Sequence, residues 1–280
     1  MWRGILVGVS LAASLAACAS SPPPPQPAAD KWQHCRAGDA DIQSCTAIID
    51  AADATPVDRA LAYSNRGTAY VVNLRDDRRA IEDFDDAIKL DPHSFLAFSN
   101  RGGAHSNIGD YDLSVKDFEQ AVALNPNNAL ALNNLGYAYN QKHDYDRAVA
   151  SFDDAIRLNP QLKFAFSNRG YSYAAKGDYR RAIEDFDQAL KRDPALAAAS
   201  GGLGYCYLHL KQIDAALDHY QKAVTRAPRN AQYRYGLGLA KQAKGDATGK
   251  AEIADAISID HDIAAKFEDF GFGSRHVVTP

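Results

Sequence analysis

Five prolines, Pro92, Pro126, Pro160, Pro194 and Pro228, follow one another at steps of 34 residues along a chain of 280. A fixed period between 20 and 50 residues is the mark of a stacked repeat, in which each unit buries its apolar face only against its neighbours. Aligning the prolines brings other residues into register. One unit reads Leu132-x2-Leu135-Gly136-x2-Tyr139, then Ala148-x3-Phe152, then Pro160. The next reads Phe166-x2-Arg169-Gly170-x2-Tyr173, Ala182-x3-Phe186, Pro194, and the one after it Ser200-x2-Leu203-Gly204-x2-Tyr207, Ala216-x3-Tyr220, Pro228. Phe98, Gly102, His105, Ser114, Phe118 and Pro126 fill the same slots in the second unit. Tyr63, Gly67, Tyr70, Ala80, Phe84 and Pro92 fill them in the first, with one extra residue near Asn73 to Asp76. Apolar residues recur at helical spacing. Asp-Pro or Asn-Pro pairs end the second helix of four units and Ala227-Pro228 that of the fifth, because a residue before proline avoids helical geometry.

This pattern resembles the tetratricopeptide repeat over residues 60–264. The resemblance implies an all-α solenoid of about six helical hairpins, a right-handed superhelix whose first helices line a concave groove. The ends depart from the repeat as caps do. The sixth unit keeps Leu237-Gly238 but carries Lys241 and Lys250 in usually apolar slots and has no closing proline. Asp262 to Phe270 then reads as a short amphipathic helix, within a capping helix and tail over 262–280. In front, residues 30–59 form an N-terminal helical cap, where Cys45-x2-Ile48-Ile49 echoes Phe84-x2-Ala87-Ile88.

The first thirty residues are read as an address and a tether. Residues 1–17 have one positive charge, at Arg3, followed by an apolar run from Ile5 to Ala17, too short to span a bilayer but suited to a signal peptide. The run closes on Leu15-Ala16-Ala17-Cys18, which resembles the bacterial lipobox and implies lipidation of Cys18. The alternative is an ordinary secretory signal and a soluble periplasmic protein. Residues 18–29 hold Pro22 to Pro25 and Pro27, a semi-rigid polyproline spacer. The expected location is the cell envelope, lipid-anchored in the outer membrane and facing the periplasm. In such an oxidising compartment Cys35 and Cys45, ten residues apart, could close a disulfide; the other reading is two buried thiols. Cys206 falls at a tight helix–helix position as a buried free thiol.

The repeat phase selects candidate groove residues. Two positions before the signature glycine stand Asn65, Asn100, Asn134 and Asn168, giving way to Gly202 and Gly236. An asparagine amide donates and accepts, so such a ladder can pair with a peptide backbone of any sequence, as the resemblance implies for family members that bind extended peptides. The alternative is that asparagine serves helix packing in this slot. One position after the glycine, Tyr137, Tyr171 and Tyr205 form an aromatic stripe, either binding anchors or ordinary helix packing. No lysine and arginine set has the spacing of the family's carboxylate clamp. Where the residue before the glycine is arginine, an aspartate precedes the second-helix aromatic; where it is leucine, none does. Structural ion pairs Arg66–Asp83, Arg101–Asp117 and Arg169–Asp185 follow, since an unpaired buried charge is costly.

Little points to chemistry. The formal charge of −4 supplies no basic field for nucleic acid. The histidines are scattered, and Cys206 with His209 offers only two ligands on one helix, too few for a metal. The expectation is therefore a non-enzyme without cofactor, metal or small-molecule substrate. Its partners would be proteins or extended peptides, as an adaptor in envelope assembly. The alternatives are a carrier of unfolded clients and a self-associating structural module.

Overall fold

The computed structural model describes Trp32, His34, Cys35 and residues 41–268. The signal-like segment 1–17, Cys18, the tether 18–29, and the tail from Asp269 onward with Phe270 lie outside the described residues. Inside them the chain is helical throughout, with no strand. A cap helix α1 (Ile42–Ile49) leads into the hairpins α2/α3 (Pro56–Ala69, Asp77–Leu90), α4/α5 (Phe95–Ile108, Tyr111–Leu124) and α6/α7 (Ala129–Gln141, Tyr145–Leu158). The hairpins α8/α9 (Lys163–Ala175, Tyr179–Arg192), α10/α11 (Ala197–His209, Ile213–Arg226) and α12/α13 (Ala231–Ala243, Gly249–Ile259) follow, and α14 (Ile263–Glu268) closes the array. Even-numbered helices are the first of each hairpin. Each helix packs on its hairpin partner and on the hairpin before and after it.

Local chemistry sets the period. Asp91, Asn125, Asn159 and Asp193 each end a second helix in extended geometry, with φ between −133° and −143°. Their N–H groups still reach the carbonyl four residues back, and the proline that follows forbids another turn. The next first helix is capped by Thr55, Ser94, Asn128 or Asn230, whose side chains accept an orphan N–H of the first turn. Three second helices share another device. Asp76, Asp144 and Asp178 accept the backbone N–H of Arg79, Arg147 and Arg181 and pair with the same guanidinium. Those guanidiniums lie 4.4 to 4.6 Å from the rings of Tyr70, just past the end of α2, and of Tyr139 and Tyr173 on the preceding helices. The hairpin turns need a left-handed residue, and Gly109, Gly177 and Gly245 supply it, while His143 and Lys211 adopt φ 59°. The extra residue of the first repeat is absorbed in a π-turn at Tyr70–Leu74, ended by Arg75 at φ 56°.

The core is a row of rings against a row of glycines. Phe84, Phe118, Phe152, Phe186 and Tyr220 are fully buried between the helices of their hairpins. A Cβ on Gly67, Gly136 or Gly204 would stand 2.7 Å from the ring it faces, so the close approach of the two helices depends on its absence. In front, Cys35 and Cys45 are joined by a disulfide with Cα atoms 4.9 Å apart, buried with Ile48, Ile49 and Ala62. At the rear, Ile263 and Phe267 of α14 are buried against the last repeats.

Candidate functional site

Three arginines bridge the two helices of their hairpins. Arg66 donates Nε and Nη2 to Asp83 at 2.9 and 2.7 Å. Arg101 does the same to Asp117 at 2.9 and 2.6 Å, and Arg169 to Asp185 at 2.8 and 2.7 Å. Each arginine has a third contact, at Nη1: Thr46 of the front cap, Asp85 or Asp153. The two aspartates lie on the second helix of the preceding hairpin, so the guanidinium staples neighbouring repeats. Burial works against the charge on Arg169, yet its bonds to Asp185 and Asp153 raise its pKa overall. Burial raises the pKa of Asp185, against the pull of Arg169.

The asparagines occupy distinct environments. Asn65 is buried and donates Nδ2 to the backbone carbonyl of Cys35 at 2.7 Å. Asn100, half-buried, donates to Thr68 Oγ1 at 3.3 Å. Asn134 and Asn168 are buried and knitted together through Asn133, which donates to Asn134 Oδ1 at 3.2 Å and accepts from Asn168 Nδ2 at 3.1 Å. Asn140 donates to the Asn168 carbonyl, and the Ser172 hydroxyl donates to Asn140 Oδ1 at 2.8 Å. The row ends for a steric reason. A Cβ on Gly202 would lie 2.3 Å from Phe186 Cζ, and one on Gly236 would lie 2.2 Å from Tyr220 Cζ, so this slot borders the ring of the preceding hairpin. Asn133 and Asn140 escaped the sequence reading. Their only signal is that they are asparagines flanking the ladder slot on one helix.

The tyrosines are buried rather than standing free. Tyr171 donates its hydroxyl to the Ala198 carbonyl at 2.7 Å and meets the Phe186 ring edge-on at 5.1 Å. Burial drives its pKa well above the usual phenol range. Tyr205 packs on His209 with the rings tilted by 36° and their centroids 4.0 Å apart, and meets Phe267 of α14 at 5.6 Å. Tyr137 is 4% exposed.

The concave face therefore has two parts. Along α2 and α4 it is open: Val57, Leu61 and Leu96 are exposed, the last two at 48% each, and Thr68, Asn100 and Gly103 are half-buried beside them. Along α6, α8 and α10 it is closed. Leu130 and Phe164, in the slot of Leu61 and Leu96, are half-buried. Ten consecutive residues of α6, Ala131 to Asn140, are buried, as are nine of α10, Ala198 to Cys206.

Cys206 is fully buried, and burial pushes its thiol up to about 12. His209 turns Nδ1 to the Tyr205 carbonyl of its own helix at 3.0 Å. Among the described residues, no group of three His, Cys, Asp or Glu side chains could hold a metal ion. Also among them, no helix is long and apolar enough to cross a membrane.

Family models described as tetratricopeptide repeat match residues 60–94, 101–162 and 168–231. Solved structures of the same architecture align over most of the chain. The type IV pilus biogenesis factor PilW superposes with a TM-score of 0.64 at 21% identity, covering 75% of this chain and 97% of PilW. The pilF protein of Pseudomonas aeruginosa gives 0.63 at 18% identity, covering 75% and 96%. MamA gives 0.52 at 23% identity, covering 60% and 97%. No curated protein sequence matches.

Proposed function

The chain belongs to the tetratricopeptide repeat family, and from that premise we propose that it is a non-catalytic adaptor, tethered to a membrane, that captures extended segments of partner proteins on its concave face during envelope assembly. One contact carries the reading. Asn65 already performs the backbone capture that an asparagine ladder offers, donating to the main-chain carbonyl of Cys35, a residue thirty positions away in sequence. Such a bond reads no side chain and suits any extended segment. Asn100 stands in the same slot one repeat later, beside exposed Leu61 and Leu96, and can extend the capture to a second chain.

Compartment and tether rest on sequence chemistry. Leu15-Ala16-Ala17-Cys18 fits lipidation at Cys18, the proline run 22–25 fits a spacer, and a disulfide at Cys35–Cys45 suits an oxidising compartment. Several acyl chains anchor a protein stably, whereas one does so only marginally. PilW, one structural neighbour, is a type IV pilus biogenesis factor, which suggests the kind of envelope machine this adaptor would serve.

The test is photo-cross-linking in the intact envelope followed by identification of partners, with Asn100→Ala and Leu96→Asp as variants. A small fixed set of partners that both variants lose supports the adaptor. A set that neither variant changes removes it, and a broad range of unrelated unfolded clients replaces it with the carrier reading. Cys18→Ser must abolish incorporation of a palmitate probe and release the chain from membranes; retention of both would overturn the anchor.

A further inference from the structure

The last helix, α14, leaves the stack. Every earlier second helix is covered by the first helix of the hairpin after it, but α14 packs on α12 more than on α13. The trailing face of α13 shows the difference. Ile253 faces Gly238 as Phe152 faces Gly136, so Ile257, four residues on, holds the slot of Ile156, Leu190 and Val224. Ile156 and Leu190 are half-buried and Val224 is buried, whereas Ile257 is 38% exposed. The chain has turned α14 away from the seat that would continue the array and laid it against the first helices.

Two side chains hold it there. The ring of Phe267 lies 5.3 Å from Tyr235 of α12 and 5.6 Å from Tyr205 of α10, so it bridges two hairpins. Ile263, about one turn earlier, is buried with Ala231 and Ala256 beside Tyr235. Ala264, Ala265 and Lys266 between them are exposed. Among the described residues the polar bonds of this segment stay local: Asp260 accepts from the N–H groups of Asp262 and Ile263 and from Lys266 Nζ at 2.7 Å. Six residues make no stable helix on their own in water, so the element depends on the seat.

The seat is longer than its occupant. Tyr205 lies 4.0 Å from His209, and His209 lies 5.2 Å from Tyr179 at the start of α9. The rings thus form one row, Tyr235, Phe267, Tyr205, His209 and Tyr179, with the ring supplied by α14 inside it. Tyr179 is half-buried and His209 is exposed, so a helix longer than α14 has both still to cover. Arg180 and Lys211 stand next to them in sequence and are exposed, which favours acidic side chains at that end.

We propose that the face of α10 and α12 is a docking seat for an amphipathic helix of a partner protein, and that α14 fills the seat until that partner arrives. The helix it fits carries an aliphatic residue, an aromatic residue four positions later and acidic residues beyond. This is helix-in-groove recognition with the anchors on one face. A tethered segment acts at an effective concentration in the millimolar range. A free helix that makes only the two contacts of α14 is therefore kept out, and one that also reaches His209 and Tyr179 displaces it. The proposal rests on the reading that the concave face captures partner segments, and it assigns a helical segment to the rear repeats.

The experiment uses the full chain and a fluorescent probe peptide of residues 260–268, locked as a helix by a lactam between Asp262 and Lys266. Ile263→Asp with Phe267→Asp in the full chain is expected to empty the seat and raise probe affinity at least tenfold at unchanged helicity. Adding Tyr235→Ala is expected to abolish the gain. No gain would overturn the proposal, and so would a gain that Tyr235→Ala leaves in place, because the probe would then bind elsewhere. A second readout keeps α14 intact, with 4-fluorophenylalanine in place of Phe267 alone. Saturating probe is expected to move the fluorine resonance to its solvent-exposed position, and an unmoved resonance would overturn the proposal. Asn100 and Leu96 take no part in either readout, so a failure here leaves the adaptor reading standing, and loss of that reading leaves these two measurements unchanged.

Discussion

Arg101 reaches back across a repeat boundary to Asp85, Nη1 to Oδ1 at 2.6 Å, while its other two donors hold Asp117 of its own hairpin. The two partners differ in environment. Asp117 is buried, whereas Asp85 is half-buried with its side chain 44% exposed. Removing Asp117 leaves a guanidinium in a site built for a pair, at a cost of about 3–5 kcal/mol. Removing Asp85 loses a solvent-screened contact worth about 0–1 kcal/mol. Urea unfolding of Asp117→Ala and Asp85→Ala should separate by at least about 2 kcal/mol; equal losses would mean that the staple acts as one exposed network.

The within-hairpin pairs were legible in the sequence because arginine and aspartate co-occur in fixed slots, three repeats out of three. Their third contacts were not. Asp85 and Asp153 belong to the previous repeat, and periodicity places residues within a unit but does not say how far one unit turns on the next. The rings Phe84 to Tyr220 and their glycines were legible for the same reason as the pairs. The burial of Tyr137, Tyr171 and Asn134 was not, because slot phase assigns a residue to a face and does not say how closely neighbouring elements pack on it. Asn65 shows the limit from the other side: the ladder slot was visible, but its partner, a carbonyl at Cys35, is a main-chain atom without any sequence signature.

His105 occupies the slot held by Tyr70, Tyr139, Tyr173 and Tyr207 elsewhere. It is buried, and burial lowers its pKa despite Asp117 at 3.8 Å and Asp110 at 4.0 Å; the charge of Arg101 acts in the same direction as burial, and Asp85 opposes it. A folded-state pKa below the unfolded value near 6.5 means that the unfolded chain takes up the proton first. This contribution to stability is complete above about pH 6.5 and is lost as pH falls below it. His219, lowered chiefly by burial, adds in the same direction. The melting temperature should fall between pH 7 and pH 5, and His105→Tyr should flatten that fall. An identical slope in the variant would assign the pH dependence to other groups.

The disulfide at Cys35–Cys45 closes a short loop at the front of the array. By the loop-entropy estimate its loss costs about 3 kcal/mol. In a solenoid each unit answers mainly to its neighbours, so the loss should stay local. Cys35→Ser with Cys45→Ser is expected to speed amide exchange in α1 and α2, where Asn65 loses its fixed carbonyl partner, and to leave α8 to α12 unchanged. Uniform loosening of all repeats would show that the front cap governs the whole array.

Gly202 marks where the asparagine row stops, and the reason is steric. Its missing Cβ would stand 2.3 Å from Cζ of Phe186 and 2.6 Å from both Cε atoms, a contact that side chains do not make, so an added residue must drive the ring out of the fully buried site it fills. Overpacking of this kind costs about 1–3 kcal/mol. Gly202→Asn should therefore destabilise the chain by at least that amount, even though it restores the ladder pattern. The ring is what forbids the rung, so shortening it should give back part of the loss. Phe186→Leu alone leaves a cavity and destabilises. Combined with Gly202→Asn, it should cost less than the two single changes added together, with a coupling of about 1 kcal/mol or more between residues in direct contact. Denaturant midpoints of the four proteins in this cycle measure the coupling. Strict additivity would mean that the glycine is there for a reason other than the ring of Phe186.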